Sequence, residues 1–194
     1  LCNASGFMPG EKGATRFWVK ELNFLLPNGN LIKTKKGKHI SQNGFFIIDD
    51  GNKKIKIPIP KYERPKIKNA SGPFTCFDEE IDLVDFIVGS EGIYGMVTAC
   101  KLGLDLMPTD QLKLFICLDN EERAIAFHNY LFNYFNGDMS KVTALEYFGY
   151  NSQNYMKHRN FLFKNKADVG IYIQIPIHQG SIESKGEKWL QIVS

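Results

Sequence analysis

The segment LVDFIVGSEGIYGMVTACKLGLDLMP, residues 83–108, places three glycines between two stretches of different character. Residues 82–88 are mostly apolar, run directly into the glycines and predict a short helix. After the glycines, apolar residues alternate with a more mixed set from Met96 onward. This period of two predicts a half-buried β-strand that ends at Pro108.

The glycines at positions 89, 92 and 95 raise the question of whether the turn binds a phosphate. A P-loop requires a Gly-Lys-Ser/Thr sequence, and the turn contains no lysine. The glycine spacing also differs from that of dinucleotide-binding and kinase loops, and a strand rather than a helix is expected to follow. Because glycines lack Cβ, the backbone can still approach a flat ring or an anion closely. The alternative is a tight turn that leads into an edge strand.

Upstream, two apolar stretches flank Asn28-Gly29 within residues 17–36 and predict a β-hairpin. Asn-Gly predicts a type I′ turn, which needs positive φ angles at both central positions. Residues 45–48 form another short apolar run. Residues 49–73 are rich in proline and lysine and predict an extended loop. The positive charges of this loop either bind polyanions or are simply solvated.

From residue 109 onward the pattern changes and predicts a separate α+β unit. Strands are predicted at residues 112–118, 142–147 and 169–175, and a weak helix at 151–159. Between the first two strands, apolar residues recur at helical spacing; Asp119 and Asn120 suit the N-cap of that helix, and Gly137 suits its end. His128 lies on this helix and is interpreted as structural.

Composition argues against several classes of protein. The 194 residues carry a net charge of +3, which is low for a nucleic-acid-binding domain. The apolar runs are far shorter than the roughly 20 residues that a membrane-spanning helix needs. The four cysteines have no metal-binding spacing, so no metal site is predicted. Cys100 and Cys117 lie in apolar stretches and are predicted to be buried, reduced thiols of a cytoplasmic protein.

The segments CNASGFMPGEKGATRFWVKELNFLLPNGNLIKT (residues 2–34), IKNASGPF (67–74) and the glycine segment quoted above follow one another along the chain. In this order they resemble the FAD-linked oxidases, the vanillyl-alcohol-oxidase or PCMH-type superfamily. The resemblance implies that residues 1–108 are the second half of a PCMH-type FAD-binding domain. Residues 109–194 resemble, more loosely, the start of a ferredoxin-like α+β cap domain. Because the chain begins at Leu1 and ends after an apolar run, a fragment of a longer protein is expected.

The resemblance also implies which residues contact FAD. The small-residue segment of the family lines the cofactor, and the glycine segment contacts it through its main chain. The implied residues are Cys2, Asn3, Ala4, Ser5, Glu91, Gly92, Ile93, Tyr94, Gly95, Met96 and Val97. Tyr94 replaces the leucine that is usual in the family, and its ring is expected to fill an apolar slot rather than to pack on the cofactor. Glu91 is expected to face a backbone N–H or a basic partner.

Two parts of the family pattern have no counterpart in this sequence. One is the upstream glycine-rich loop that holds most of the diphosphate. The other is the set of cap-domain histidines near the flavin, which none of the four histidines matches; these are His39, His128, His158 and His178. No catalytic residue is therefore predicted within the chain, and the chain alone is expected to bind FAD weakly or not at all.

The implied function is that of an FAD-dependent dehydrogenase or oxidase. Such an enzyme would oxidise a 2-hydroxy acid such as D-lactate or glycolate by hydride transfer to the flavin. Electrons would pass on to a quinone, a flavoprotein, an iron–sulfur protein or oxygen. Two alternatives remain open: an interaction or polyanion-binding module that uses the lysine-rich residues 53–68, and an alkyl-transferring flavoprotein of the same fold. The expected location is the cytoplasm, with peripheral attachment to a membrane as an option.

Overall fold

The computed structural model describes residues 2–9, 13–49, 51, 53–62, 68 and 80–193. The chain divides into two compact units. Unit 1 comprises Leu1–Gly6 and Gly10–Asp105, and unit 2 comprises Phe7–Pro9 and Leu106–Ser194. Both units combine helices with antiparallel sheets, which confirms the predicted α+β class.

The helices that the described residues form are α1 (Thr15–Trp18), α2 (Leu83–Ile87), α3 (Glu121–Tyr134), α4 (Arg159–Leu162) and α5 (Ile182–Val193). Their strands are β1 (Val19–Leu25), β2 (Leu31–Lys35), β3 (Phe45–Asp49), β4 (Lys54–Pro58), β5 (Met96–Leu102), β6 (Asp110–Leu118), β7 (Ala144–Phe148) and β8 (Val169–Ile177). Where one weak helix was predicted, over residues 151–159, the structure has a 3₁₀ helix at Tyr150–Tyr155, and α4 begins only at the last residue of that range.

The predicted hairpin is confirmed as the antiparallel pair β1–β2, but the type I′ turn is wrong. The Gly29 N–H donates to the Leu26 carbonyl over 3.0 Å, and Gly29 has a φ of 85°. Asn28 does not share this positive φ, since Pro27 before it opens a three-residue loop. Pro at the first loop position and glycine at the third suit a type I turn followed by a G1 bulge.

The loop predicted over residues 49–73 is wrong at Lys54–Pro58, which form strand β4 and pair with β3. Ile55 and Ile57 are half-buried, whereas Lys54 and Lys56 are exposed. This alternation has the period of a strand, and β4 belongs to a two-stranded sheet, so its proline lies on an edge strand, where prolines are tolerated. The rest of the lysine-rich stretch falls mainly outside the described residues, as do the segment at 69–74 and Cys76.

Strand β5 is confirmed as a strand but differs from the prediction in extent and burial. It ends at Leu102, and every residue in it is exposed except Val97, which packs against the core of unit 1. The side chains predicted to face inward are instead exposed to solvent. The exposed fractions of Leu104 and Leu106 are 91% and 81%. The physical reason is the strand's place at one end of the sheet order β2–β1–β5, where only the Val97 side meets the core.

The prediction that Cys100 and Cys117 are buried is also wrong, since both thiols are exposed. Cys100 lies on the bare side of β5. Cys117 lies on the side of β6 opposite Leu112, which packs into the core of unit 2, and its Sγ lies 2.6 Å from the Leu162 carbonyl oxygen. An apolar sequence context therefore did not determine which face of each strand was buried.

Helix α2 forms where a short helix was predicted. The Asp82 carboxylate accepts a hydrogen bond from the Val84 N–H over 2.8 Å and caps the helix. The apolar side chains of α2 complete the core of unit 1, which contains Val19, Leu22, Phe24, Ile32, Phe46, Ile48, Ile81, Leu83, Val84, Phe86, Ile87 and Val88. The end of α2 is thereby fixed just before the glycine turn.

Apart from the four-residue α4 between β7 and β8, unit 2 has the element order β-α-β-β-α, and β8 lies between β6 and β7 in its sheet. The predicted N-cap is confirmed at Asn120, whose side chain accepts a hydrogen bond from the Arg123 N–H. Leu131 of α3 and Trp189 of α5 pack against the isoleucines of β8 in one core. His128 is exposed on α3, and its ring stacks beside Phe132.

A buried carboxylate gives unit 2 a pH-dependent contribution to stability. Asp168 is 4% exposed and accepts hydrogen bonds from the backbone N–H groups of Asn165 and Lys164, at 2.8 and 2.7 Å. The bond from Asn165, followed by that from Lys164, lowers the pKa of Asp168 below its ordinary value. The stability that Asp168 contributes is therefore fully present above about pH 4 and is lost as the pH falls through the lower folded pKa.

We expect Asp168→Asn to reduce the loss of unit 2 stability between pH 7 and pH 3, because the amide cannot titrate. The measurement is urea unfolding across this pH range, monitored by a probe in unit 2. Asp119→Asn, on an exposed aspartate, serves as the control and should leave the pH dependence unchanged. An unchanged slope in Asp168→Asn would contradict the role given to this carboxylate.

Candidate functional site

A cavity of about 860 Å³ lies in unit 1 between the β1–β2 turn and the glycine turn after α2. The residues that line it come from three separate parts of the chain: Cys2, the end of β1 with its turn, and the segment from α2 into β5. The described lining residues are Cys2, Leu25, Leu26, Pro27, Gly29, Ile87, Ser90, Glu91, Gly92, Gly95, Met96 and Val97. Packing of α2 against β1 brings these parts together.

The glycine turn is a series of tight backbone turns. The N–H groups of Ser90, Ile93 and Gly95 donate to the carbonyls of Ile87, Ser90 and Gly92, at distances of 3.0 to 3.3 Å. These three N–H groups are therefore committed within the turn and are not available to a ligand. Positive φ angles recur along it, at Gly89, Glu91, Gly92 and Gly95. The glycines thus serve the backbone conformation first.

The structure brings some of the predicted FAD-contacting residues together and separates others from the cavity. Cys2, Glu91, Gly92, Gly95, Met96 and Val97 line it. Asn3, Ala4, Ser5, Ile93 and Tyr94 are not among the described lining residues. The Ile93 side chain is 73% exposed, and the Tyr94 ring stacks on Phe86 with the centroids 4.8 Å apart. The Tyr94 ring therefore packs against the protein, and its expected place relative to the cofactor stays a prediction.

Residues 3–5 instead bind the chain segment around Thr15. Asn3 is fully buried, and its Oδ1 accepts a hydrogen bond from the Arg16 N–H over 2.8 Å. The Ala4 carbonyl accepts hydrogen bonds from both the N–H and the hydroxyl of Thr15. These contacts hold Cys2 at the edge of the cavity.

The residues that the sequence did not predict come mainly from the β1–β2 turn, Leu25, Leu26, Pro27 and Gly29, together with Ile87 and Ser90. The sequence identified this stretch as a hairpin turn, but a local turn signal does not reveal what the turn faces. The pairing of Leu25 with Met96 places the turn beside the glycine segment. Such a pairing between distant strands has no local signature, so sequence reasoning had no signal for these lining residues.

The cavity lining is mostly apolar and carries little charge. Glu91 is the one charged side chain among the described lining residues. Within the described part of the chain its carboxylate has no hydrogen bond or ion pair, so the N–H or basic partner expected for it stays a prediction. Next to the lining, burial and the neighbouring Tyr62 raise the pKa of the Tyr94 hydroxyl. A lining of this kind suits an uncharged, flat group better than a phosphate.

A second cavity, of about 570 Å³, lies in unit 2 beside the start of α3 and had no sequence signal. Its described lining is Asn120, Glu121, Glu122, Tyr150, Lys166 and Ala167. Nearby, the Tyr147 hydroxyl donates to Glu121 over 2.7 Å. Partial burial and this bond raise the pKa of Tyr147 to about 12. The phenol therefore stays protonated at neutral pH.

Comparisons with known proteins leave the resemblance as a prediction: no protein-family model matches the chain, and no curated protein matches it. The residues that the structure describes form no helix long and apolar enough to cross a membrane. They also contain no group of three or more His, Cys, Asp or Glu side chains that could hold a metal ion.

Proposed function

We propose that the chain forms one side of the FAD site in an FAD-dependent oxidoreductase that oxidises a 2-hydroxy acid by hydride transfer to the flavin. One observation carries the proposal. Two segments that the resemblance assigns to FAD, the first around Cys2 and the second from Glu91 to Val97, border the same cavity although they are distant in sequence. The 2-hydroxy-acid substrate, the transfer of electrons to an acceptor and a cytoplasmic location are all parts of this proposal.

The residues of the cavity fit part of FAD. Its volume lies in the range of small-molecule sites, roughly 300 to 1,000 Å³. Leu25, Leu26 and Met96 offer apolar surface for a flat ring, and a Cβ at Gly92 would meet only the Gly95 carbonyl, at 3.8 Å, so this part of the wall is open. The described lining lacks the lysine or arginine that a diphosphate favours. The proposal therefore places most of the diphosphate on another loop.

When bound, FAD supplies the flavin that accepts the hydride. The residues described in unit 1 would then bind and orient the cofactor and exclude water from one side of it. Apart from the short helix α4, the element order of unit 2 and the position of β8 between β6 and β7 match the first five elements of a ferredoxin-like arrangement. This order supports the proposal that unit 2 is the start of the cap domain.

Met96 offers a test of the cavity with little risk to the fold, since its side chain is 59% exposed on an edge strand. We expect Met96→Trp to weaken FAD binding to the complete protein by about tenfold or more, because the indole occupies space in the cavity, and 1.4 kcal/mol already corresponds to tenfold. The measurement is a titration of the deflavinated protein with FAD, followed by flavin fluorescence.

Thr98→Trp is the matched control. Thr98 is exposed two residues further along β5 and is not among the described lining residues. This variant should bind FAD like the unmodified protein. Equal affinities for Met96→Trp and the unmodified protein would contradict the placement of FAD in this cavity.

A further inference from the structure

We propose that Arg16 is a positioning residue that sets the width of the cavity by joining its two remote walls. The joined walls are the segment that carries Cys2 and the segment that follows α2. The role of Arg16 in holding FAD rests on the proposed function, whereas its role in the geometry of the cavity does not.

The first wall is held by the backbone of Arg16. Its N–H donates to Oδ1 of Asn3 over 2.8 Å, and Asn3 is fully buried with a φ of 54°. Asn3 directly follows Cys2, which borders the cavity. A fixed Asn3 therefore fixes the point at which the chain reaches the cavity edge.

The second wall is held by the guanidinium of the same residue. Its Nε donates to the Asp85 carbonyl over 3.0 Å, and its Nη2 donates to the Val88 carbonyl over 2.8 Å. The last carbonyls of a helix have no partners within the helix, and a cation there also interacts favourably with the helix dipole. Val88 immediately precedes Gly89, where the glycine turn begins. The guanidinium therefore anchors the start of the Ser90–Val97 wall.

Arginine is suited to this role because its planar group presents several donors in fixed directions. The side chain is 6% exposed, so water cannot easily replace the two carbonyl contacts. Lysine would keep the charge but offers a single, flexible donor point. It could not hold both carbonyls and keep the same path from Asn3 to Val88. Arg16→Lys should therefore loosen the relation between the two walls even where the fold survives.

The test measures the distance across the cavity without using a ligand. Spin labels are attached to Cys2 and to Glu91→Cys in the full chain, after the other cysteines are replaced by serine, and the distance distribution is recorded by pulsed electron paramagnetic resonance. Both positions are exposed, so the labels can be accommodated. We expect a single narrow distribution for the parent chain and a broadened or shifted one for Arg16→Lys.

Lys36→Met is the matched control. The Lys36 ammonium lies 2.8 Å from the Asp85 carboxylate, so this variant removes a different cation that contacts α2 and leaves the contacts of Arg16 to Asn3 and Val88 in place. Its distance distribution should equal that of the parent. If Arg16→Lys fails to fold, Asn3→Gly tests the same link, because glycine tolerates the positive φ and removes the side-chain acceptor for the Arg16 N–H. It too should broaden the distribution.

Unchanged distributions in both Arg16→Lys and Asn3→Gly would overturn the proposal, even if both variants melted at lower temperature. In the complete protein, Arg16→Lys should also weaken FAD binding by about tenfold, because a cavity of variable width holds the binding-competent geometry in only a fraction of the molecules. A parent protein that binds no FAD but shows the predicted distances would contradict the proposed function and leave the role of Arg16 supported.

Discussion

Gly95→Ala is expected to destabilise unit 1 by about 3 kcal/mol or more, since it introduces both a steric overlap and an unfavourable backbone conformation. A Cβ atom at this position would overlap the Leu25 carbonyl oxygen and lie 2.9 Å from Cζ of Phe24. The Leu25 oxygen belongs to β1, so it cannot move away without disturbing the pairing of β1 with β5. The φ of Gly95, +146°, is also one that alanine rarely adopts.

Gly92→Ala separates the two causes. Gly92 also has a positive φ, +82°, but a Cβ there would meet only the Gly95 carbonyl, at 3.8 Å. Its expected cost is that of the backbone alone, about 1 to 2 kcal/mol. The free energies of unfolding of both variants, from urea titrations with a probe in unit 1, make the comparison. Equal losses would show that the close approach of Leu25 is not what requires glycine at position 95.

Gln153→Glu is expected to destabilise unit 2 by about 3 kcal/mol or more at neutral pH, the range seen when a buried charge is left without a partner. Gln153 is 9% exposed, and its Nε2 donates to the carbonyls of Asp168, Asn165 and Lys166, at 2.8, 3.1 and 3.4 Å. In glutamate a negative oxygen would face these three acceptors. The new carboxyl should take up a proton as the pH falls, so the loss should shrink towards acid pH.

Asn154→Asp controls for the change from amide to carboxylate. Asn154 lies next to Gln153 in the same 3₁₀ turn, but its side chain is exposed. Its effect on the free energy of unfolding of unit 2 should stay within about 0.5 kcal/mol, as is usual at such positions. A Gln153→Glu variant as stable as Asn154→Asp would contradict the importance of the three carbonyl contacts.

Local signals predicted most of the secondary structure. The Asn-Gly turn gave the β1–β2 hairpin, and the cap at Asn120 gave the start of α3. The same signals did not predict burial, as β5 illustrates. Its sequence has the period of two, but the side with more apolar residues is exposed to solvent, and Val97 on the other side packs against the core. A period identifies two faces of a strand, whereas the packing partners decide which of them is buried.

The candidate site was predictable only in part, for a related reason. The resemblance predicted FAD contacts in two segments, and it included both Cys2 and Asn3 among the contacting residues. The structure shows that neighbouring residues there have different tasks, with Cys2 at the cavity and Asn3 holding Arg16. The turn at Leu26 and Pro27 was missed because only the long-range pairing of β1 with β5 brings it to the cavity.

The flavin content of the complete protein tests the proposed function most directly. The protein should be purified without added cofactor, its visible absorption recorded, and any flavin released by denaturation and identified by chromatography. The expected result is a flavin absorption band and the release of FAD in an amount close to that of the protein chains. A colourless complete protein that also takes up no added FAD would contradict the assignment of this chain to a flavoenzyme.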